Sequence, residues 1–206
     1  MPLVKADTDT HTPPPTVETV DALPALVALL ASDQAADRRA AVRALEARDD
    51  GIAPLCARIA EETVPSVREA IMAALIRHRS PAVVAALLPL LRSEMPPLRN
   101  AALEGLAAMP DEVAPHIDQL LRDPDSDVRI FTANLLHVLP HRRAADWLRT
   151  ALADDHANVC AAAIDGLAEI GGEDALPALA AVPARFPDDS FIAFATRIAV
   201  ERIGRC

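Results

Sequence analysis

The stretch VREAIMAAL at residues 67–75 recurs along the chain in recognisable form. Related stretches are LRNAALEGL at 98–106, VRIFTANLL at 128–136 and VCAAAIDGL at 159–167. Each has apolar or small residues, or a threonine, 3, 4, 7 and 8 positions after its first residue, and those offsets form one face of an α-helix. Recurrence at about 31 residues predicts a repeat protein in which each period contributes this helix.

A second helix precedes this one in each period. The sequence DALPAL occurs at residues 21–26 and again 153 residues later, at 174–179, which corresponds to five periods. We therefore predict an all-α fold, an α-solenoid or superhelix of about six helical hairpins. The predicted domains are a flexible N-terminal segment, 1–20, and one repeat domain, 21–206, with repeats at 21–50, 51–80, 81–111, 112–142, 143–173 and 174–206.

Proline and polar residues predict the helix boundaries. Prolines suit the opening turn of a helix, where the missing N–H is not needed. We place four of them in the opening turns of the first helices: Pro24, Pro54, Pro115 and Pro177. Pro89 lies deeper in its repeat. Ser66, Asp127 and Asn158 are the predicted N-caps of three second helices.

Composition and charge exclude several classes of protein. The 206 residues are 51% hydrophobic and 2% aromatic, which excludes general disorder and favours helices over sheets. The net charge is −10, and residues 111–189 hold 15 acidic residues against six arginines. That field opposes nucleic-acid binding. Without a basic, apolar leader or an 18-residue apolar run, we expect no secretory signal and no membrane span, hence a cytoplasmic protein.

The repeated pattern resembles the HEAT repeats, in particular the short bacterial form also found in phycobilin lyases. The match is clearest in DPDSDVR at 123–129 and in AAIDGLAEIG at 162–171. Three repeats depart from it: Arg38 occupies the valine site of the first, Cys160 replaces the arginine of the fifth, and the sixth offers Phe191, Phe194 and Ile198 instead of Val-Ala-Leu. The resemblance implies an α-solenoid that usually acts as a scaffold.

The sequence gives little support for an enzyme. No histidine is followed by glutamate, the dipeptide with which HEAT-like deoxyhypusine hydroxylases hold their metals. HEAT-like DNA glycosylases need a basic groove with aromatic residues, which this composition lacks. The three cysteines are scattered, and His137 and His141 are expected at the opposite helix end from His156. We predict no catalytic residue, no metal and no cofactor.

The predicted binding surface is the second-helix face, defined as positions 2, 5, 6 and 9 after the first residue of each repeated stretch. The resemblance implies that this face lines a concave surface. It contains an apolar line, Met72, Leu103 and Ile164, beside a polar line, Glu104, Asn134 and Asp165. This pattern suits an amphipathic helix or a basic segment of another protein. The apolar line has an alternative role, packing against the next repeat.

Two further interpretations stay open. Aspartates recur once per repeat near the turns and could form an acidic binding edge or simply cap helices: Asp123, Asp125, Asp127, Asp154, Asp155, Asp188 and Asp189. Trp147, on a first helix, could be a half-exposed anchor for the partner or a packing residue. We expect a non-catalytic protein-binding scaffold; the alternative is an accessory protein for cofactor or chromophore attachment, similar to phycobilin lyases.

Overall fold

The computed structural model describes residues 22–205 as six consecutive helical hairpins. The first helices of the hairpins are α1 (Leu23–Leu30), α3 (Ile52–Ile59), α5 (Pro81–Leu87), α7 (Pro110–Leu120), α9 (Ala144–Ala151) and α11 (Leu176–Ala181). The second helices are α2 (Ala35–Leu45), α4 (Pro65–His78), α6 (Pro96–Ala107), α8 (Ser126–Val138), α10 (Ala157–Ile170) and α12 (Ser190–Ile203). The described residues contain no β-strand, so the all-α prediction is confirmed. The predicted flexible segment 1–20 lies outside them.

The core runs along the stack of second helices. The residue that opens each repeated stretch is buried, as is the apolar residue eight positions later: Val67 and Leu75, Leu98 and Leu106, Val128 and Leu136, Val159 and Leu167. Ala102 and Ala163 are 0% exposed, because neighbouring helices come close at these small side chains. The helical face predicted from the periodicity is therefore the face that packs.

The prolines fit their predicted places only in part. Pro24 and Pro177 lie in the first turns of α1 and α11, as predicted. Pro115 is instead the sixth residue of α7, because that helix begins earlier, at Pro110. Pro89 follows the end of α5 at Leu87 and lies in a 3-10 helix, Leu88–Arg92. A proline there removes an N–H that an α-helix would need, and the tighter winding accommodates it.

The predicted N-caps of the second helices are wrong. α4 begins at Pro65, so Ser66 lies inside it and accepts a hydrogen bond from Arg39 Nη1 at 3.0 Å. The carboxylate that caps α8 belongs to Asp125, which accepts from the backbone N–H of Asp127. α10 likewise begins at residue 157, before Asn158, and has no side-chain cap. Each of these helices starts two residues earlier than predicted, with its N-cap at Val64, Asp125 or His156.

Candidate protein-binding face

A recurrent arginine fixes the turn that leads into each second helix. In four repeats an arginine Nη1 donates to the backbone carbonyl six residues earlier: Arg38 to Ser32, Arg68 to Glu62, Arg99 to Ser93 and Arg129 to Asp123. The side chain of that earlier residue accepts from the backbone N–H two residues on: Gln34, Val64, Met95 and Asp125. Each turn is thereby closed from both sides. Arg38 belongs to this arginine set, so its assignment to the valine site was wrong by one residue.

Two of these arginines also join neighbouring hairpins. Arg38 Nε lies 2.8 Å from Glu62 Oε2, and Arg129 Nε lies 2.7 Å from Asp154 Oδ2. Burial alone would raise the pKa of Glu62, but hydrogen bonds from Arg38, Val64 N–H and Arg58 outweigh it and lower that pKa to about 2. For Asp154, burial is likewise outweighed by Arg129, and its pKa is lowered. Both carboxylates stay charged and hold consecutive turns in register.

Cys160 occupies the arginine position of the fifth repeat, and Arg185 supplies the missing guanidinium. Arg185 comes from the 3-10 helix Pro183–Arg185 of the next hairpin. Its Nη1 donates to Leu152 O at 2.6 Å, and its Nη2 donates to Asp154 O at 2.6 Å. Burial raises the pKa of the Cys160 thiol, which donates to the Asp154 carbonyl at 3.1 Å. The turn before α10 is thus closed by a residue from the following repeat.

The apolar line of the second-helix face is largely buried. Met72 is 6% exposed and Ile164 is 1% exposed, so their prediction as exposed partner contacts is wrong. A Cβ atom at Gly105 of the neighbouring helix would lie 2.7 Å from Met72 Sδ, which shows that the methionine fills the space left by that glycine. The alternative role, packing between repeats, holds for both residues. Leu103 is half-buried against the core.

The polar line of the second-helix face is open to solvent. Glu104, Asn134 and Asp165 are all exposed. Glu104 borders two grooves, one of about 400 Å³ between α4 and α6 and one of about 520 Å³ between α6 and α8. Leu103 and Asn134 border the second groove, whose rim includes Val138, an exposed valine that the sequence pattern did not single out. The structure therefore brings together Leu103, Glu104 and Asn134.

Trp147 is not an exposed anchor. It is 1% exposed and packs in the core, so the prediction of a half-exposed partner contact is wrong. The His141 ring stacks on it at 4.9 Å between ring centroids, and the Arg143 guanidinium lies 4.5 Å from its ring centre. The loop between α8 and α9 supplies both residues and closes over the indole. The other repeats hold different residues at the position of Trp147. Helical periodicity could not predict that this loop covers the tryptophan.

Several aspartates of the acidic edge are used within the turns. Asp123 accepts from Asp125 N–H and also pairs with Arg92. Asp154 accepts from His156 N–H, and Asp189 accepts from the N–H groups of Phe191 and Ile192 at the start of α12. The Asp189 bonds match the helix-capping interpretation, whereas the Asp123 and Asp154 bonds close the turns that precede the helices.

The sixth hairpin departs from the predicted register. Phe191, Phe194 and Ile198 were assigned to its buried face, and that assignment is wrong. They are 63%, 54% and 39% exposed, whereas Ile192, Thr196 and Ala199 face the core. The apolar face is displaced by one residue because α12 packs through Ile192. The sequence held one sign of this exposed apolar surface: two of the chain's four phenylalanines lie in this one helix.

No set of three or more His, Cys, Asp or Glu side chains within residues 22–205 is arranged to hold a metal ion. Cys56 and Cys160 are free thiols, and burial raises the pKa of each. Cys206 lies outside the described residues. None of the helices described is both long enough and apolar enough to cross a membrane.

Comparison with known proteins identifies the repeat. Residues 113–193 match the HEAT repeats family. Among solved structures, an engineered protein shares 20% identity over 87% of this chain and 95% of its own, with a TM-score of 0.42. A designed armadillo repeat protein shares 15% identity over 88% of this chain and 100% of its own, with a TM-score of 0.38.

The complex of CpcE and CpcF of phycocyanin lyase from Nostoc sp. PCC7120 shares 19% identity over 98% of this chain and 100% of the matched chain, with a TM-score of 0.33. No curated protein matches this sequence. The residues matched to the HEAT repeats extend from α7 into α12, and the same two-helix unit is present in the three hairpins that precede them. The matched residues, 113–193, are HEAT repeats.

Proposed function

We propose that the chain is a non-catalytic scaffold that binds another protein through its second-helix face. One observation carries this proposal: the open groove between α6 and α8, about 520 Å³, has apolar side chains along its floor and exposed polar side chains on its rim. Leu103 and Val138 supply apolar surface, while Glu104 and Asn134 can orient a partner through hydrogen bonds. Peptide-binding grooves combine these two features.

The charge of this face indicates the kind of partner. Glu104 and Asp165 are exposed, and the chain has a net charge of −10. A segment with apolar residues at helical spacing and one or more lysines or arginines would complement both the groove and its rim. We propose such an amphipathic, basic segment as the partner, and we propose a cytoplasmic location, where thiols remain reduced.

A peptide selection tests the proposal. A library of random peptides displayed on phage is selected against the chain, and the affinity of the selected peptides is measured by fluorescence anisotropy. Glu104→Lys should weaken binding at least tenfold, because it places a like charge against a basic segment beside the groove. Asp111→Lys is the matched control: Asp111 is exposed in the first turn of α7, and its replacement changes the net charge equally.

Two outcomes contradict the proposal. Failure to select any peptide would argue against a peptide-binding groove, and equal weakening by both variants would show only general electrostatic attraction. Linear tetrapyrroles, added separately and followed by visible absorbance, test the accessory-protein alternative. Tetrapyrrole binding that Glu104→Lys abolishes, without any selected peptide, would favour that alternative.

A further inference from the structure

Helix α12 carries an exposed apolar stripe on the side that continues the second-helix face. The stripe consists of Phe191, Phe194 and Ile198, which recur at helical spacing and are 63%, 54% and 39% exposed. In the preceding helix, α10, the corresponding positions hold Asn158, Ala161 and Asp165. A change from polar or small side chains to two phenylalanines and an isoleucine makes this part of the face distinct from the rest.

The stripe borders a trough of about 440 Å³ between α10 and α12. Ala161, Ile164 and Ala168 of α10 line the opposite wall. The two alanines are short and Ile164 is buried, so these side chains project little into the trough. A helix lying along the stripe could therefore place its own apolar side chains there. This is the arrangement by which helices pack ridges into grooves.

The charges at the two ends of α12 indicate what covers the stripe. Asp188 and Asp189 precede the helix, and Arg202 and Arg205 lie at its other end beside Glu201, which pairs with Arg205. A two-fold rotation about an axis near Phe194 would bring the acidic start of one helix to the basic end of another and place the two stripes face to face. A surface that complements itself under this rotation fits a symmetric dimer.

We propose that α12 is a dimer interface, in which two copies of this chain pair their α12 helices antiparallel through the stripe. Phe191 of one copy lies opposite Ile198 of the other, and the two Phe194 side chains meet at the axis. The three side chains expose about 300 Å² per copy, given that an aromatic side chain buries roughly 150–250 Å². A symmetric pair covers about 600 Å² from these side chains, which places the dimer in the weak, reversible class.

Sedimentation equilibrium of the full chain, with reducing agent, tests this proposal. The average mass should rise from one chain at about 1 μM toward two chains at several hundred μM, as expected for a reversible pair. Phe194→Ser should remain a single chain throughout. Val27→Ser is the matched control, because Val27 is 41% exposed on α1 and lies outside both the stripe and the α6–α8 groove, and it should associate like the unmodified chain. Circular dichroism verifies that each variant is folded. If Phe194→Ser does not fold, Phe191→Ser replaces it in the same measurement.

Charge exchange tests the antiparallel orientation. Asp188→Arg alone and Arg202→Asp alone should each weaken association about tenfold, whereas the double variant should associate within threefold of the unmodified chain. Arg202 also pairs with Glu169 at 2.5 Å, so the folding of each variant is checked first.

Three results would overturn the proposal. The chain could stay a single copy at every concentration, Phe194→Ser could associate normally, or the double charge variant could associate no better than the single ones. A chain that never self-associates but loses affinity for selected peptides on Phe194→Ser would assign the stripe to a different protein. Because Glu104 lies on α6, loss of dimerisation and loss of peptide binding at the α6–α8 groove are separately measurable.

Discussion

Glu62 shows how one residue joins two hairpins. It is the one buried carboxylate among residues 22–205, and both its oxygens accept hydrogen bonds from Arg38, at 2.8 and 2.9 Å. One oxygen also accepts from Val64 N–H, and the other from Arg58. A buried charge is tolerated when it is paired and fully hydrogen-bonded, and this one meets both conditions.

We predict that Glu62→Gln lowers the free energy of unfolding by about 3 kcal/mol at pH 7, because it leaves the Arg38 guanidinium buried without its counter-charge. Glu61→Gln is the control, since its side chain is 76% exposed and lies 4.0 Å from Arg58. It should change stability by less than about 0.5 kcal/mol. Urea unfolding measures both, and equal effects would contradict the assigned role of Glu62.

The pH dependence of the same residue has a definite sign. The folded pKa of about 2 lies below the reference value of 4.5, so the ionised group stabilises the fold above pH 4.5. This stabilisation is lost as the pH falls from about 5 to about 2. The stability difference between the unmodified chain and Glu62→Gln should therefore narrow over that range. If the two chains differ by the same free energy of unfolding at pH 5 and at pH 3, the lowered pKa of Glu62 is contradicted.

At the scale of elements, Arg185 shows one hairpin completing the turn of another. The Cys160 thiol reaches the Asp154 carbonyl but is a weak, uncharged donor, unlike the guanidinium groups that close the turns of the other repeats. The 3-10 helix after α11 places Arg185 where its guanidinium meets the carbonyls of Leu152, Ala153 and Asp154. The function of the missing arginine is thus retained by a residue 25 positions later.

We predict that Arg185→Ala lowers the free energy of unfolding by about 1–2 kcal/mol, because these carbonyls lose charged donors. Cys160→Arg alone should also destabilise the chain, since it crowds a second guanidinium against Arg185. The double variant should recover most of the loss, as the new arginine restores the pattern of the other turns. Urea unfolding of the two single variants and the double variant gives the coupling free energy between positions 160 and 185. If the two effects simply add, the assigned role of Arg185 is contradicted. Arg197→Ala, an exposed arginine on α12 paired with Glu201, is the control.

At the scale of the molecule, hairpins contact mainly their neighbours, so local stability follows local packing. The central helices α8 and α10 present fully buried side chains such as Val128, Leu136 and Leu167. By contrast α11 has six residues, of which Leu179 is buried, and a 3-10 turn follows it.

We predict that amide hydrogens in α8 and α10 exchange at least 100-fold more slowly than those in α11. Hydrogen exchange followed by mass spectrometry of proteolytic fragments measures the three helices in one experiment. Equal protection would contradict the prediction and would show that the stack opens as a single cooperative unit.

The sequence determined the helical content and the recurrence of hairpins, because helical periodicity and turn residues act over short distances along the chain. Residues such as Val67, Leu98 and Leu167 could be assigned to the core from their spacing alone. The polar line Glu104, Asn134 and Asp165 was likewise predicted as exposed, and the structure leaves all three in contact with solvent. Whether that line binds a partner stays a prediction.

Tertiary structure alone decided the outer edges of each helix face. Met72 is buried because Gly105 of the next repeat leaves room for it, and Phe191 is exposed because α12 packs through Ile192. Trp147 is covered by His141 and Arg143 from the adjacent loop. In each case the residues nearby in sequence do not indicate the burial of the side chain, which depends on contacts with another helix or loop. Burial there depends on the crossing and spacing of helices, which periodicity within one helix does not specify.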